Sequence, residues 1–331
     1  MIKPNKPLFT LGLFLTFFLL SGCDYVVLDP KGPVAEEQKN LILYSIIFMI
    51  FIILVVYALF FIIVVKYRER KDKLDYEPSQ KEGSKLLETI WTIIPIIIVI
   101  ALSIPTVKAI YAIEKPKDES QEPLVINATS VDWKWVFSYP EQNIETVNYI
   151  KIPAGRPVLF KLTSADSMAS FWVPALGGQK YAMAGMENKL YLEAHEPGVF
   201  DGRNANFTGE GFAHQTFKVT AQTKEDFEKW VNESKQTAPP LTQDQYDQLM
   251  LQGPADVMTF SSTHLQWVDH AREQDYALRV REKLGQLPKG TVDRKKMKIY
   301  RYLIWDRMNQ RNLGTSTSPT QVLINGGGKT E

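Results

Sequence analysis

The sequence predicts a membrane-anchored α+β protein, in which a two-helix transmembrane hairpin carries an external β-sandwich and a C-terminal helical arm. Three observations predict this fold class. Long uncharged runs occur within the first 113 residues, short β-rich runs separated by turn residues follow them, and a helical period of apolar residues begins after residue 223.

The charge balance and the cysteine content exclude several function classes. The 331 residues include 38 Lys and Arg against 37 Asp and Glu, a formal net charge of +1. This balance excludes a strongly basic nucleic-acid binder, so we expect no nucleic acid among the partners. One cysteine and four histidines exclude an internal disulfide framework and a multi-cysteine metal site.

The first 22 residues have the pattern of an export signal. Lys3 and Lys6 precede a short uncharged stretch that ends in Leu-Ser-Gly-Cys at Cys23. This ending resembles the bacterial lipoprotein box, in which the chain is cut before the cysteine and the thiol is acylated. The sequence therefore predicts a signal peptide over 1–22 and a lipid anchor, such as palmitate, on Cys23. A simple signal peptide or signal anchor with an incidental cysteine is the alternative.

Two uncharged runs predict transmembrane helices. The run 41–65 has 25 residues, enough to cross a hydrocarbon core about 30 Å thick at about 1.5 Å per residue. The run 89–107 lies between Glu88 and Lys108 and contains two prolines, which predict a kink in a second helix over 88–112. Two buried helices of a soluble protein are the alternative, which the preceding export signal disfavours.

Positive charges predict the direction in which these helices cross the membrane. Seven Lys and Arg residues lie in the loop 66–87, whereas the segment 23–40 contains Lys31 and Lys39. Since positive residues gather on the cytoplasmic side, the loop is predicted to be inside and the segment 23–40 outside. We therefore expect a multi-pass protein of the cell membrane with its large domain on the external face.

The region 113–222 is predicted to be the external β-sandwich. Short β-rich runs alternate there with Gly, Pro, Asn and Asp, and many short strands of this kind are typical of a sandwich. The predicted strands are 124–129, 131–139, 158–163, 189–194 and 216–220.

The region 223–312 is predicted to form a helical arm, because apolar residues recur there with a helical period. The residues on the first helical face are Phe227, Trp230, Val231 and Ser234. Further helices are predicted over 243–251 and 269–284. The stretch 294–308 is basic and amphipathic, which favours a solvated helix face over a lipid-surface role. The small polar residues of 313–331 predict a disordered tail.

Three segments resemble subunit II of the heme-copper respiratory oxidases. They are Leu-Glu-Thr-Ile-Trp-Thr-Ile-Ile-Pro at 87–95, Trp-Lys-Trp-Val-Phe-Ser-Tyr at 133–139 and Ser-Ala-Asp-Ser-Met-Ala-Ser-Phe-Trp-Val-Pro at 164–174. The first resembles the start of that family's second membrane span, the second its aromatic strand and the third the segment before its metal loop. The resemblance covers about residues 35–222 and implies a cupredoxin-like Greek-key fold for the sandwich.

The family has a copper-binding branch, and the residues at its ligand positions separate this chain from it. Cytochrome c oxidases hold a dinuclear copper centre there with two bridging thiolates, two imidazoles, a thioether and a carbonyl, and soft thiolates are indispensable to it. The resemblance places Ala169 and Gln215 at the histidine positions, Phe207 and Gly211 at the cysteine positions, Lys218 at the methionine position and Gly209 at the carbonyl position. We therefore expect no metal and no cofactor in this domain.

Other residues offer no replacement ligands. His214 lies one place from a ligand position, and a lone imidazole there is expected to be a surface residue. His264 and His270 are six residues apart, which would put them on different faces of a helix. A single-copper site also needs a cysteine, and the one cysteine of the chain is the expected lipid attachment site Cys23.

These departures are the pattern of the quinol oxidase branch of the family. The segments 179–186 and 196–202 also resemble that branch, whose members carry a helical arm after the sandwich. The resemblance implies subunit 2 of a proton-pumping quinol oxidase, in which a quinol delivers electrons to the hemes and copper of subunit I and O₂ is reduced to water. This chain would then be a scaffold without a redox centre or catalytic residue of its own.

The implied partners follow from that role. They are subunit I, small membrane subunits, membrane lipid, and menaquinol or ubiquinol bound through subunit I. The near-neutral external domain gives no sign of a soluble cytochrome c partner. Two alternatives stay open, a cytochrome c oxidase subunit II and a free-standing membrane lipoprotein with a binding or assembly role.

Glu88 is the one residue to which the resemblance assigns chemistry. The family's corresponding glutamate marks the mouth of the lysine-lined proton path into subunit I, and a carboxylate at a membrane boundary can pass protons inward. The alternative is an acid that stabilises the helix N-terminus. Trp133 and Trp135 are predicted to flank one strand face and to pack in the core or against another subunit.

Overall fold

The computed structural model describes residues 25–68 and 83–292. Several predicted features lie outside the described residues, namely the signal 1–22, Cys23, most of the loop 66–87, the stretch 294–308 and the tail 313–331.

Two helices are long and apolar enough to cross a membrane, α1 (Pro33–Lys66) and α2 (Lys85–Ile113). Helix α1 begins at Pro33 rather than at residue 41, so much of the predicted external segment is helical. Proline is favoured in the first helical turn because its φ is already helical and its missing N–H is not needed there. Helix α2 begins just before the predicted span and continues through Pro95 and Pro105.

The external domain is a sandwich of two β-sheets. Its strands are β1 (Leu124–Val131), β2 (Lys134–Tyr139), β3 (Ile144–Val147), β4 (Tyr149–Pro153), β5 (Val158–Ser164), β6 (Ala169–Val173), β7 (Gly177–Ala182), β8 (Asn188–Leu192), β9 (Gly198–Asn204), β10 (Thr216–Gln222) and β11 (Met258–Phe260). One sheet has the order β11-β3-β2-β1-β5-β8 and the other β4-β10-β9-β6-β7. The pairs β1–β5 and β4–β10 are parallel and the others antiparallel, in a cupredoxin-like arrangement.

The core between the sheets is aromatic. Trp135 and Phe137 from β2 meet Phe171 from β6 and Phe217 from β10, and all four side chains are buried. The rings of Phe171 and Phe217 stack with centroids 4.9 Å apart, and those of Phe137 and Phe217 lie 5.1 Å apart. Since burial of a side chain of this size is worth about 1.5–3 kcal/mol, this cluster is a main source of the sandwich's stability.

Trp133 is an exception to the predicted strand 131–139. It lies in the turn between β1 and β2, so it does not share a strand face with Trp135. The turn directs the Trp133 indole away from the core and towards a loop of the opposite sheet.

The described part of the arm, residues 223–292, contains three α-helices, α3 (Lys224–Thr237), α4 (Gln243–Leu249) and α5 (Tyr276–Lys283). The predicted face of α3 is the buried one, and Thr223 caps this helix by accepting a hydrogen bond from the Asp226 N–H. The predicted helical arm is confirmed as a helical region, with two local differences. Residues 258–260 form strand β11 beside β3, and the helix predicted over 269–284 is shorter and begins at Tyr276.

The sandwich sits directly on the first turn of α1. Gly177 has φ +96°, and a Cβ there would lie 2.6 Å from the Ala35 nitrogen, so only glycine permits this approach. The Lys31 N–H donates to the Ala175 carbonyl at 2.7 Å, and the His195 N–H donates to the Lys31 carbonyl at 2.9 Å. Helix α1 and the sandwich are therefore joined by backbone contacts.

Candidate functional site: the ligand loop

The loop that follows β9 contains most of the predicted ligand positions, and we call residues 205–215 the ligand loop. It passes beside the start of β6, where the Ala205 N–H donates to the Ser170 carbonyl at 3.0 Å. A short 3₁₀ helix, Phe212–His214, leads from it into β10. The fold thus brings the loop next to Ala169, as a metal site built from both segments would require.

The side chains at the ligand positions do not converge on one point. Ala169 and Gln215 are buried, whereas Phe207 is 73% exposed and meets the Phe212 ring edge to face, with centroids 5.0 Å apart. Lys218 is exposed as well, and its Nζ donates to Asp201 Oδ1 at 2.5 Å. The position that would hold a thioether therefore carries a surface ion pair.

An amide network occupies the buried part of the site. Gln215 Nε2 donates to Ser130 Oγ at 2.8 Å and to the Lys134 carbonyl at 3.1 Å, and Gln215 Oε1 accepts from Asn204 Nδ2 at 2.9 Å. Asn204 Oδ1 accepts from the N–H groups of Ser170 and Asn206 at 2.8 and 2.9 Å. Both amides are saturated with neutral partners, which satisfies their burial.

The Trp133 indole fills the space beside the two glycines of the loop. A Cβ at Gly211 would lie 2.2 Å from the Trp133 ring, and a Cβ at Gly209 would lie 3.2 Å from it. Trp133 Nε1 also donates to the Thr208 carbonyl at 2.9 Å. We call Trp133 the aromatic wedge of the ligand loop.

The donors present do not fit a dinuclear copper centre. The six positions supply no thiolate, imidazole or thioether, and copper sites of this type depend on soft sulfur ligands. Across residues 25–68 and 83–292, no group of three or more His, Cys, Asp and Glu side chains is placed to hold a metal ion. His214 is exposed on the 3₁₀ helix.

Behind the wedge lies a buried charge cluster that the sequence did not predict. Arg281 of α5 forms an ion pair with Asp166, and both side chains are almost fully buried. Asp132 lies beside them, and burial together with the charge of Asp166 raises the pKa of Asp132 to about 6. Burial lowers the pKa of Lys134 to about 8, with Arg281 adding to the shift. Sequence separation hid this cluster, because its members come from three distant segments.

The prediction that His264 and His270 lie on different faces of a helix was wrong. Residues 267–275 are not helical, and the centroids of the two rings lie 5.7 Å apart, both next to Tyr246. His264 Nδ1 lies 2.7 Å from Glu145 Oε2, with both side chains buried. His270 Nε2 lies 2.6 Å from the Tyr246 hydroxyl, and burial lowers the pKa of His270 to about 3. These contacts hold the arm against β3.

Glu88 lies in the first turn of α2, away from the sandwich. Its N–H donates to the Ser84 carbonyl at 3.0 Å, and its carbonyl accepts from Thr92 Oγ1 at 2.8 Å. The side chain is exposed, as is that of Trp91. The geometry is compatible with both the predicted proton role and a helix N-terminal acid.

Comparison with known proteins identifies both parts of the chain. Residues 24–109 match the family model of the cytochrome c oxidase subunit II transmembrane domain, and residues 141–222 match that of its periplasmic domain. The chain is 59% identical over 290 residues to quinol oxidase subunit 2 of Bacillus spizizenii, covering 86% of this chain and 90% of the relative. It is 50% identical over 266 residues to the probable quinol oxidase subunit 2 of Staphylococcus haemolyticus, covering 80% and 70%. A crystal structure of the periplasmic domain of cytochrome oxidase subunit II from Bradyrhizobium japonicum is 24% identical, with a TM-score of 0.33, covering 34% of this chain and 94% of that chain.

Proposed function

The chain belongs to the subunit II family of the heme-copper oxidases, and on that basis we propose that it is subunit 2 of a proton-pumping quinol oxidase. The observation that carries this proposal is the chemistry of the ligand loop. Where a subunit II that accepts electrons from cytochrome c needs sulfur and imidazole donors, this chain has a saturated amide network and an aromatic wedge. Relatives at 59% and 50% identity bear the name quinol oxidase subunit 2.

In this proposal the chain is a scaffold that binds no cofactor. Quinol, either menaquinol or ubiquinol, is oxidised through subunit I, whose hemes and copper pass the electrons to O₂ and form water. Soluble cytochrome c is not a partner, because the chain offers no acceptor for its electron. The alternative of a cytochrome c oxidase subunit II requires copper ligands that the six positions do not supply. The alternative of a free-standing lipoprotein requires a chain that purifies without heme-bearing subunits.

The membrane arrangement of this proposal follows the charge distribution. The basic loop 66–87 lies on the cytoplasmic side of the cell membrane, and the sandwich and arm lie outside. Cys23 carries an acyl anchor in this arrangement, which holds the N-terminus at the external membrane surface. The apolar exteriors of α1 and α2 contact lipid, subunit I and the small membrane subunits.

We infer that Glu88 accepts protons at the cytoplasmic end of α2 and passes them into subunit I. Its place in the first turn of the helix puts a carboxylate at the membrane boundary. Glu88→Gln should slow turnover while the complex still assembles. Glu114→Gln is a matched control, because Glu114 caps the opposite end of the same helix. Unchanged turnover of the Glu88 variant would remove the proposed role.

Purification of the complex tests the function as a whole. The chain should copurify with heme-bearing subunits in detergent, and that complex should oxidise quinol and not reduced cytochrome c. Metal analysis should find only the copper that belongs to the subunit I centre. Stoichiometric copper in the external domain, together with turnover of cytochrome c, would contradict the proposal.

A further inference from the structure

We propose that the helical arm replaces a metal as the cross-link that holds the ligand loop in place, with Trp133 and Arg281 as positioning residues. A dinuclear copper centre would tie the loop to the start of β6 through metal–ligand bonds. The proposal rests on the proposed function only in taking the loop to be free of metal. In this chain the same two segments are joined by hydrogen bonds such as that from the Ala205 N–H to the Ser170 carbonyl, and also through the aromatic wedge and the arm.

The first link joins the loop to the wedge. Trp133 Nε1 donates to the Thr208 carbonyl at 2.9 Å, and the indole covers the faces of Gly209 and Gly211. A side chain at Gly211 would meet the ring at 2.2 Å, so glycine at this position is what lets the wedge enter. The loop is thus held against an aromatic surface along the stretch where the two cysteines of a copper site would stand.

The second link joins the turn that carries the wedge to the arm. The Gly253 N–H donates to the Asp132 carbonyl at 2.7 Å, and the Trp133 N–H donates to the Gly253 carbonyl at 3.1 Å. Lys134 Nζ donates to the carbonyls of Leu249 and Leu251 at 3.1 and 2.6 Å. The turn is therefore bonded on both sides of Trp133 to the end of α4 and the segment that follows it.

The third link is the Arg281–Asp166 ion pair, which fixes the arm to the segment before β6. Arg281 Nε also donates to the Met250 carbonyl at 2.8 Å, so one guanidinium connects α5, the end of α4 and that segment. Asp166 Oδ2 accepts from the Asp132 N–H at 3.1 Å, and Ser167 Oγ donates to Asp132 Oδ1 at 2.5 Å. Removing one partner of such a buried ion pair strongly destabilises the folded protein, because the other charge is left buried and unpaired.

These links have an order, since the arm holds the wedge and the wedge holds the loop. Loss of Arg281 should therefore release both the arm and the loop. Loss of the Trp133 indole should release the loop alone, because the bonds of Gly253 go to the backbone and Arg281 pairs with Asp166. A merely structural role of Arg281, confined to α5, would leave the loop unaffected.

Hydrogen exchange on the detergent-purified complex tests this order. Arg281→Met should speed exchange at the Phe212 and His214 amides by on the order of tenfold or more, and also in α5. Arg281→Lys, which keeps the charge next to Asp166, should restore most of the protection. Arg279→Gln is the matched control, because Arg279 lies in the same helix and pairs with Glu273 at a partly exposed site. It should leave the loop unchanged.

The Trp133 variant shows whether the arm can stay in place when the loop is released. Trp133→Leu should speed exchange in the ligand loop to a similar degree while α5 and the core strands β1 and β5 stay protected. Should Arg281→Met fail to fold, Lys134→Met replaces it, because this change removes the bonds from the turn to the Leu249 and Leu251 carbonyls of the arm and should also speed exchange in the loop. Unchanged exchange in the loop of either folded variant would overturn the proposal. Copper analysis of the wild-type complex is a separate measurement, so a wrong function and a wrong cross-link would be distinguished.

Discussion

Replacing His264 by Leu should strip a buried carboxyl group of its imidazole partner. Glu145 is fully buried and His264 is 2% exposed, with 2.7 Å between Nδ1 and Oε2. Within the described part of the chain Glu145 Oε1 has no hydrogen-bond partner, so Oε2 makes all the hydrogen bonds of this carboxyl group. After the substitution two neutral donors remain, Ser138 Oγ at 2.8 Å and the backbone N–H of residue 264 at 3.0 Å.

The expected cost follows from burial. Removing the hydrogen-bonding partner of a buried polar group costs about 1–3 kcal/mol, because the group that remains is left in a poorly solvating site. The stacking of His264 on Tyr246, at 4.3 Å, adds about 0.5–1.5 kcal/mol. The matched control is His195→Leu. His195 lies 3.4 Å from Glu36, but the two side chains are 38% and 46% exposed, so its loss should cost about 1 kcal/mol or less.

The assay is urea unfolding of the full chain in detergent, in which proteolysis monitors the unfolding of the arm. A second variant, Glu145→Met with His264→Leu, separates the unpaired carboxyl group from lost packing. It should recover most of the stability, because replacing both partners of a buried polar contact by apolar groups of similar shape is often nearly neutral. A cost of the single variant below about 1 kcal/mol, or a double variant no more stable than the single one, would refute the reasoning.

Three further predictions concern the external domain. Because the folded state keeps His270 neutral down to a pKa of about 3, whereas an unfolded histidine binds a proton below about pH 6.5, stability should fall by about 1.4 kcal/mol per pH unit as the pH drops between these values. His270→Gln should remove this contribution from the urea midpoint, and an unchanged pH slope would contradict it. Phe171→Ala should cost about 3–5 kcal/mol in urea unfolding, since its ring contacts those of Phe160 and Phe217, and a cost under about 1 kcal/mol would contradict the aromatic core. Gly211→Ala should cost about 1–3 kcal/mol by displacing the Trp133 indole. It should cost less in a chain that already carries Trp133→Ala, and a double-mutant cycle would measure this difference.

The membrane helices and part of the sandwich could be predicted because their signals are local. An apolar run long enough to cross a bilayer needs no partner to be recognised, and strands such as β5 and β10 have β-rich runs bounded by turn residues. Six strands were missed, namely β3, β4, β6, β7, β9 and β11. Of these, β6 is 5 residues long, and β9 carries glycine, asparagine and charged residues because its solvent-facing side needs no apolar pattern.

The candidate site could be predicted only in its residue types. The resemblance identified Ala169 and Gln215 as departures from a ligand set, but nothing in the sequence indicated that Gln215 would join Asn204 in a saturated network. The wedge was placed on a strand because Trp133 stands in a β-rich run, whereas its position depends on bonds to Gly253, about 120 residues away along the chain. Contacts at such separation leave no periodic trace in the sequence.

The number of residues in helix α1 sets the height of the sandwich above the membrane and its orientation about the helix axis. Its 34 residues rise about 51 Å, well beyond a hydrocarbon core of about 30 Å, and its first turn is clasped by Gly177. Since each residue turns an α-helix by about 100°, one amino acid inserted near Asn40 would swing the sandwich by that angle relative to the lipid-facing part. Substitutions along α1 leave the orientation of the sandwich unchanged. Insertions and deletions preserve this orientation only when they add or remove whole helical turns.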